Sequence, residues 1–259
     1  MTNQILLVHG AFHSGDCWER LIPKLAELSF EARAVTLSGH RGNPKWPWWV
    51  TMKTYGSDVI AAAEAIGQPC LLLGHSMGGM VISEAAQRRR DLFTGLIYLT
   101  AFVPKFGKSS PPGLAPVSPL MRSASEASLG GTMTVSADVA KRVFYNRCAR
   151  EAQNRAVELL CPQPIRAAMG SIETTADGLG LVQKHYIECT DDEALPIASQ
   201  RAMQANMPFD SVETLDSDHS PFFSQPNALA SAISRAAGRR RCTRQENHSI
   251  QTPPIAQGG

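Results

Sequence analysis

The chain has 259 residues, of which 43% are hydrophobic and 19% are charged, as is typical of a globular protein with a sizeable core. Its formal net charge is +2, but residues 238–259 hold four arginines and one glutamate, so the remaining 237 residues carry −1. This nearly neutral body argues against a nucleic-acid-binding protein. The apolar runs are too short to span a bilayer and the first residues lack the pattern of a secretory leader, so we expect a cytoplasmic protein without a membrane partner.

Short apolar strands alternate with helices through the first hundred residues. We predict strands at 4–8, 32–37, 70–74 and 93–103, and helices at 18–28, 55–66 and 78–90. Alternation of this kind is typical of a parallel sheet with helices on both faces.

The alternation stops after residue 104. Residues 105–120 are rich in Pro, Ser and Gly, and residues 136–170 look helical with no strand between them. We therefore predict that residues 105–182 form a helical cap inserted into the sheet domain.

The sheet domain resumes after the cap, with strands predicted at 185–189 and 211–215 and helices at 197–205 and 227–237. The prediction is thus an α/β core of residues 1–104 and 183–237, built on a mainly parallel six-stranded sheet. From Gly238 the chain is rich in Arg, Gln, Pro and Gly, which predicts a disordered tail over 238–259. The tail is interpreted as dispensable, the alternative being a contact between its arginines and an acidic partner.

Signatures of cofactor and metal sites are missing from the sequence. Neither a G-x-G-x-x-G nor a G-x-x-x-x-G-K-[ST] motif occurs, and no histidine is paired with a carboxylate at helical spacing. The six cysteines are scattered without a C-x-x-C pair, which favours reduced thiols in a cytoplasmic protein. We expect no cofactor and no metal, and the oligomeric state stays open.

The strongest motif is the run Gly74-His75-Ser76-Met77-Gly78, which fits G-x-S-x-G between an apolar strand and a small-residue helix. In that context the serine sits on a sharp, strained turn with its hydroxyl exposed above the sheet. Glycines are needed two residues to either side because side chains there would collide where strand and helix cross. Ser76 is therefore the predicted nucleophile.

A serine nucleophile needs a base and an acid that orients the base, and in this architecture both follow the serine in the chain. His219 is the predicted base, since it alone among the later histidines lies on a loop after a strand. The acid is one of Asp191, Asp192 and Glu193, and spacing alone does not choose among them.

Two backbone N–H groups should hold the developing oxyanion. One is expected from Met77, directly after the nucleophile, and the other from Ala11 or Phe12 after the first strand. Aromatic residues near these loops are candidates for an apolar substrate pocket, with core or lid packing as the alternative for any one of them. The candidates are Phe12, Trp18, Phe102 and Phe222, and Trp46, Trp48, Trp49 and Phe223 also flank the site loops.

Over about residues 4–236 the chain resembles the α/β-hydrolase superfamily, in the branch of plant methyl esterases, hydroxynitrile lyases and bacterial pyrethroid-type carboxylesterases. The resemblance rests on residues 7–11 (LVHGA), 74–79 (GHSMGG), 98–104 (YLTAFVP), 186–192 (YIECTDD) with Pro196 and Gln200, and 218–221 (DHSP). It implies that Asp192, four residues before Pro196, is the acid and that Ala11 and Met77 supply the oxyanion N–H groups.

Two departures from related enzymes narrow the expected activity. Hydroxynitrile lyases of this branch carry a threonine and a lysine where this chain has Gly10 and Ser220, and epoxide hydrolases and dehalogenases use an aspartate in place of Ser76. We therefore expect a serine carboxylesterase that acts on a small to medium apolar ester. A lactonase or other acyl hydrolase, or a slow-turnover ligand receptor of the same fold, is the alternative.

Overall fold

The computed structural model describes residues 3–109, 119 and 125–246. The strands within these residues are β1 (Asn3–Val8), β2 (Phe30–Val35), β3 (Cys70–His75), β4 (Phe93–Leu99), β5 (Gly107–Ser109), β6 (Ser125–Ala127), β7 (Thr132–Val135), β8 (Gln163–Pro164), β9 (Ile172–Thr174), β10 (Lys184–Cys189) and β11 (Ser211–Leu215). The helices are α1 (Leu21–Glu27), α2 (Met52–Glu64), α3 (Gly78–Arg89), α4 (Ala137–Val143), α5 (Arg150–Glu158), α6 (Ile165–Ala168), α7 (Ile197–Gln204), α8 (Pro221–Ser224) and α9 (Pro226–Glu246).

Six strands form one sheet in the order β11-β10-β4-β3-β1-β2, and every neighbouring pair is parallel. The predicted six-stranded parallel sheet is confirmed. Its register places Val8 beside Gly74 and His75 beside Leu99, so the carboxyl ends of the central strands meet at one edge. The loops at this edge carry the predicted site residues.

Helices cover both faces of the sheet, which explains why its central strands are almost wholly apolar. Because side chains alternate along a strand, Leu7 and Leu73 pack with α1 and α9, while Leu6 and Leu72 pack with α2 and α3. Both faces are buried, so the sharp turn between β3 and α3, which we call the elbow, rests on a rigid core.

The cap differs from the predicted helical one. Within its described residues, α4, α5 and α6 are accompanied by two small antiparallel sheets, one of β5 and β9 and one of β6, β7 and β8. Strands of two to four residues are too short to show a period of two, which is why the pattern gave no sign of them. Residues 110–118 and 120–124 of the predicted cap lie outside the described residues.

The last helix also differs from the prediction, because α9 continues past Gly238 to Glu246 where the sequence predicted loss of order. Arginine and glutamine are good helix formers, and extending an existing helix needs no new nucleus. Residues 247–259 of the predicted tail lie outside the described residues.

Candidate active site

The turn between β3 and α3 places Ser76 in the left-handed region, with a φ of 53°. This conformation is uncommon for a residue with a side chain, and here it is held by hydrogen bonds on both sides of the peptide. The Ser76 N–H donates to the Leu99 carbonyl at 3.2 Å, and the Phe102 N–H donates to the Ser76 carbonyl at 3.0 Å. Ser76 is partly exposed between the buried His75 and Met77.

The glycines around Ser76 are required by close contacts between backbone segments. A Cβ on Gly74 would lie 2.5 Å from the Gly78 carbonyl oxygen, and a Cβ on Gly78 would lie 2.9 Å from the carbonyl oxygens of Val8 and His9. Real side chains do not tolerate such distances from a carbonyl oxygen, so the elbow can form only with glycine at both positions. The structure gives the same reason for these glycines as the sequence pattern did.

His219 and Asp192 meet at the same edge of the sheet. The His219 Nδ1 lies 2.6 Å from Asp192 Oδ2, and both side chains are buried. The other carboxylate oxygen, Oδ1, accepts the N–H groups of Ala194 at 2.8 Å and Leu195 at 2.7 Å. The carboxylate is therefore fixed from both sides and aimed at the ring of His219.

Asp191 and Glu193, the other two candidates for the acid, do not contact His219 in the structure. Asp191 is half exposed and forms an ion pair with Arg147 of the cap, and Glu193 is exposed. Adjacent residues of a turn face different directions, so only Asp192 reaches His219. The structure thus pairs His219 with the residue that the family resemblance selected.

The His219 loop is held against the elbow by His75. The His75 Nε2–H donates to the His219 carbonyl at 2.8 Å, and the two ring centroids are 4.6 Å apart. Burial, with His219 nearby, lowers the pKa of His75 well below its ordinary value, so this ring stays neutral. The residue before Ser76 is thereby tied to the loop of the predicted base.

Two further buried histidines hold the loop after β1, which carries the predicted oxyanion donor Ala11. His9 Nε2 accepts the Leu37 N–H at 3.1 Å, so its Nδ1–H donates to the Gly10 carbonyl at 2.8 Å. The peptide is planar and trans, so the Ala11 N–H points away from that anchored carbonyl. The next peptide is anchored too, because His13 Nδ1–H donates to the Ala11 carbonyl at 2.7 Å.

These histidines are neutral because they are buried. Burial lowers the pKa of His9 well below its ordinary value and lowers the pKa of His13 to about 4. With Nδ1 donating, the Nε2 of His13 accepts the Tyr145 hydroxyl of the cap at 2.8 Å. The loop that carries Ala11 is thus fixed to the core on one side and to the cap on the other.

Three residues of the site were missed by the sequence analysis. Thr100 donates its hydroxyl to Asp192 Oδ2, the oxygen that also faces His219, and it does so from a φ of 35°. Phe144 of the cap stacks on the His219 ring at 5.4 Å. Asp218, fully buried beside His219, accepts the Ser224 hydroxyl at 2.6 Å and the Arg147 N–H of the cap at 3.1 Å.

Asp218 is the only one of these three that carried a visible signal, since it is an acid directly before the predicted base. Burial raises the pKa of its carboxyl group, although several hydrogen-bond donors oppose this shift. Its bonds to the cap and to α8 fix the backbone of the His219 loop from both directions.

The predicted pocket residues divide into two pairs. Phe12 and Phe102 lie on loops that touch the elbow, Phe12 with a φ of 64° and Phe102 bonded to the Ser76 carbonyl. Trp18 and Phe222 are fully buried, with ring centroids 4.7 Å apart, and pack in the core beneath His75. That these two rings line a substrate pocket stays a prediction, as it does for Phe12, which is buried in the same core cluster.

Within the described ranges, no group of three or more His, Cys, Asp or Glu side chains is arranged to hold a metal ion. Among those same residues, no helix has the length and apolar character needed to cross a membrane.

The order of the strands, the elbow after β3 and the acid and histidine after the last two strands match a known family. A model of the alpha/beta hydrolase family matches residues 5–232. The chain belongs to this family. As an alpha/beta hydrolase, it has its candidate site where the family's architecture places catalytic residues, at the carboxyl edge of the sheet.

Several relatives of this alpha/beta hydrolase carry more specific names. It is 32% identical to a pyrethroid hydrolase of Sphingobium wenxiniae over 244 residues, which is 88% of this chain and 85% of the relative. It is 26% identical to methylesterase 1 of Arabidopsis thaliana over 252 residues, covering 90% and 95% of the two chains. The crystal structure of a pyrethroid hydrolase from Sphingobium faniae superposes with a TM-score of 0.82 at 29% identity, covering 92% of this chain and 98% of that one.

Proposed function

We propose that this alpha/beta hydrolase is a serine carboxylic-ester hydrolase with Ser76 as nucleophile, His219 as base and Asp192 as the orienting acid. The observation that carries the proposal is the 2.6 Å contact between His219 and Asp192 beside a serine held in the left-handed region. The names of the relatives, pyrethroid hydrolase and methylesterase, support ester hydrolysis as the reaction class.

In the first half of the reaction, the Ser76 hydroxyl oxygen attacks the ester carbonyl carbon while His219 takes the hydroxyl proton. The carbonyl oxygen becomes an oxyanion, which the Ala11 and Met77 N–H groups bind. Met77 is the residue before the first turn of α3, where the helix dipole also favours negative charge. The C–O bond then breaks, and His219 returns the proton to the departing alcohol.

The second half repeats these steps with water. The acyl group is now bonded to the Ser76 oxygen, and His219 removes a proton from the attacking water molecule. The second tetrahedral intermediate collapses, the free acid leaves and the proton returns to Ser76. Throughout, Asp192 holds the ring of His219 in one orientation and stabilises its charged form.

We infer the substrate class from the residues that surround Ser76 and His219. The backbone of Phe102 is bonded to Ser76, Phe144 stacks on His219 and Phe12 packs against Phe144, so aromatic residues lie near the proposed reacting atoms. We infer a small to medium apolar ester, with no nucleic-acid partner. We also place the protein in the cytoplasm, which suits the free thiols of the described cysteines.

The test is hydrolysis of p-nitrophenyl esters from acetate to long chains by the wild type, Ser76→Ala and Ser231→Ala. Ser231 is an exposed serine on α9 and serves as the matched control. We expect turnover of short and medium esters, a loss of at least about 10³-fold in kcat for Ser76→Ala, and no change for the control. Esterase activity that survives in Ser76→Ala would contradict the proposal.

A further inference from the structure

Several large apolar side chains are exposed on the loop after β2 and on the neighbouring part of the cap. These side chains, which we call the tryptophan surface, are Trp46, Trp48, Trp49, Leu129 and Met169. Trp49 is 70% exposed, Trp46 is 59% exposed and Leu129 is fully exposed. Single exposed apolar residues need no explanation, but a cluster of this size marks an interaction site.

These side chains lie on three segments: the loop around Trp48, the β6–β7 turn and helix α6. The three segments are in direct contact with one another. The Arg166 guanidinium donates to the Trp48 carbonyl at 2.7 Å, and the Ile165 N–H donates to the Gly131 carbonyl at 3.0 Å. Gly131 lies so close to the Trp48 ring that a Cβ there would be 2.7 Å from it.

The tryptophan surface is also positively charged. Lys45, Lys53 and Arg166 are exposed on the same segments, residues 44–53 and 162–171 contain no aspartate or glutamate, and the β6–β7 hairpin adds one exposed glutamate, Glu126. A partner of negative charge therefore fits it. A second copy of this chain, docked about a two-fold axis, would place these cations against one another.

The shape of the tryptophan surface suits a soft partner better than a rigid one. Trp48 and Trp49 lie on a one-turn helix that begins with Pro47, and Leu129 stands at the tip of the turn between β6 and β7. The most exposed of the apolar groups, Leu129 and Trp49, therefore stand at turns. Protruding tryptophans with neighbouring lysine and arginine are typical of proteins that lie on a bilayer, where the indole ring sits among the lipid headgroups.

We propose that the tryptophan surface docks this protein peripherally on an anionic lipid bilayer. This differs from the expectation of no membrane partner, which rested on the absence of apolar runs long enough to span a bilayer. The loop that carries Trp46 to Trp49 follows β2 at the carboxyl edge of the sheet, the same edge as Ser76. Docking would therefore bring that edge toward apolar molecules dissolved in the lipid.

The experiment is co-sedimentation of the whole protein with vesicles of phosphatidylcholine alone and of phosphatidylcholine with 30% phosphatidylglycerol. The variants are Trp46→Ser/Trp49→Ser, Lys45→Glu/Arg166→Glu and, as matched control, Leu181→Ser, an exposed leucine elsewhere on the cap. We expect binding to the anionic vesicles, weaker binding at higher salt and a shift of tryptophan emission to shorter wavelength.

Either double variant should reduce the bound fraction at least fivefold, while Leu181→Ser binds as the wild type does. All variants should hydrolyse soluble p-nitrophenyl acetate at the wild-type rate, which separates docking from folding and from the proposed chemistry. Absence of binding to anionic vesicles at low salt would overturn the proposal, as would equal binding by all variants. Self-association that depends on Trp46 and Trp49 would assign the surface to a second copy instead.

Discussion

The carboxyl edge of the sheet and the cap use polar groups in opposite ways. At the edge, Asp192 is buried with a hydrogen-bond donor on every side, and three buried histidines hold peptides of the loops around Ser76. On the cap, Arg147 pairs with the half-exposed Asp191 and the exposed Asp216, and apolar side chains face the solvent. The edge fixes the proposed reacting groups in place, whereas the polar contacts of the cap are exposed to water.

The contrast has an energetic basis. A buried carboxylate that loses a partner keeps its full desolvation cost, whereas an exposed ion pair contributes little because water screens it. Substitutions at the edge should therefore change activity or stability strongly, and substitutions of exposed cap contacts should change them weakly.

The largest expected effect is the loss of activity when Asp192, and not its neighbour Asp191, is replaced by asparagine. Asp192→Asn presents an N–H group to His219 Nδ1 and forces the ring into the wrong tautomer, so kcat/KM should fall by about 10³- to 10⁴-fold. Asp191→Asn removes only an exposed ion pair with the cap and should change kcat/KM less than twofold. Steady-state kinetics of both variants gives the two values of kcat/KM. A large loss of kcat/KM in Asp191→Asn would contradict Asp192 as the orienting acid.

The next effect concerns acid stability. Burial lowers the pKa of His13 to about 4 from an unfolded value near 6.5, so its contribution to stability is complete above pH 6.5 and is lost as the pH falls toward 4. The difference corresponds to about 3 kcal/mol. Urea unfolding between pH 7.5 and 4.5 should show a weaker pH dependence for His13→Gln than for the wild type.

Tyr145→Phe is the control for this prediction. It removes the hydroxyl that donates to His13 Nε2 but keeps the titrating ring. The variant should lose stability at every pH and retain most of the wild-type slope. Equal slopes for wild type and His13→Gln would show that His13 does not cause the acid sensitivity.

The smallest expected effect comes from removing the Thr100 hydroxyl, which donates to Asp192. Thr100→Val keeps the shape of the side chain but removes a donor to Asp192, which should lower kcat about tenfold with little change in KM. Thr100→Ser restores the hydroxyl and should recover most of the activity. If serine fails to recover it, Thr100 acts through its methyl packing and not through its hydroxyl.

The parts of the site that the sequence predicted are those fixed by local backbone geometry. Gly74, Ser76 and Gly78 form one short motif, and His219 follows a strand that is itself easy to recognise. The choice of Asp192 over Asp191 depended on the family resemblance, because spacing cannot tell which of two adjacent turn residues faces inward.

The parts that were missed depend on contacts distant in the chain. Thr100 donates to a carboxylate 92 residues away, from a backbone with a positive φ. For Trp18 and Phe222, aromatic composition cannot distinguish a pocket wall from core packing, so their place in a pocket stays a prediction. The short strands of the cap form through pairing with segments whose partners the sequence does not reveal.

The most direct test of Ser76 as nucleophile is labelling with a fluorophosphonate probe, followed by peptide mass spectrometry on wild type, Ser76→Ala and Asp192→Asn. We expect one adduct on Ser76 in the wild type, none in Ser76→Ala, and labelling of Ser76 slowed by orders of magnitude in Asp192→Asn. A folded wild-type protein that leaves Ser76 unlabelled, or that carries the adduct on another residue, would contradict this role of Ser76.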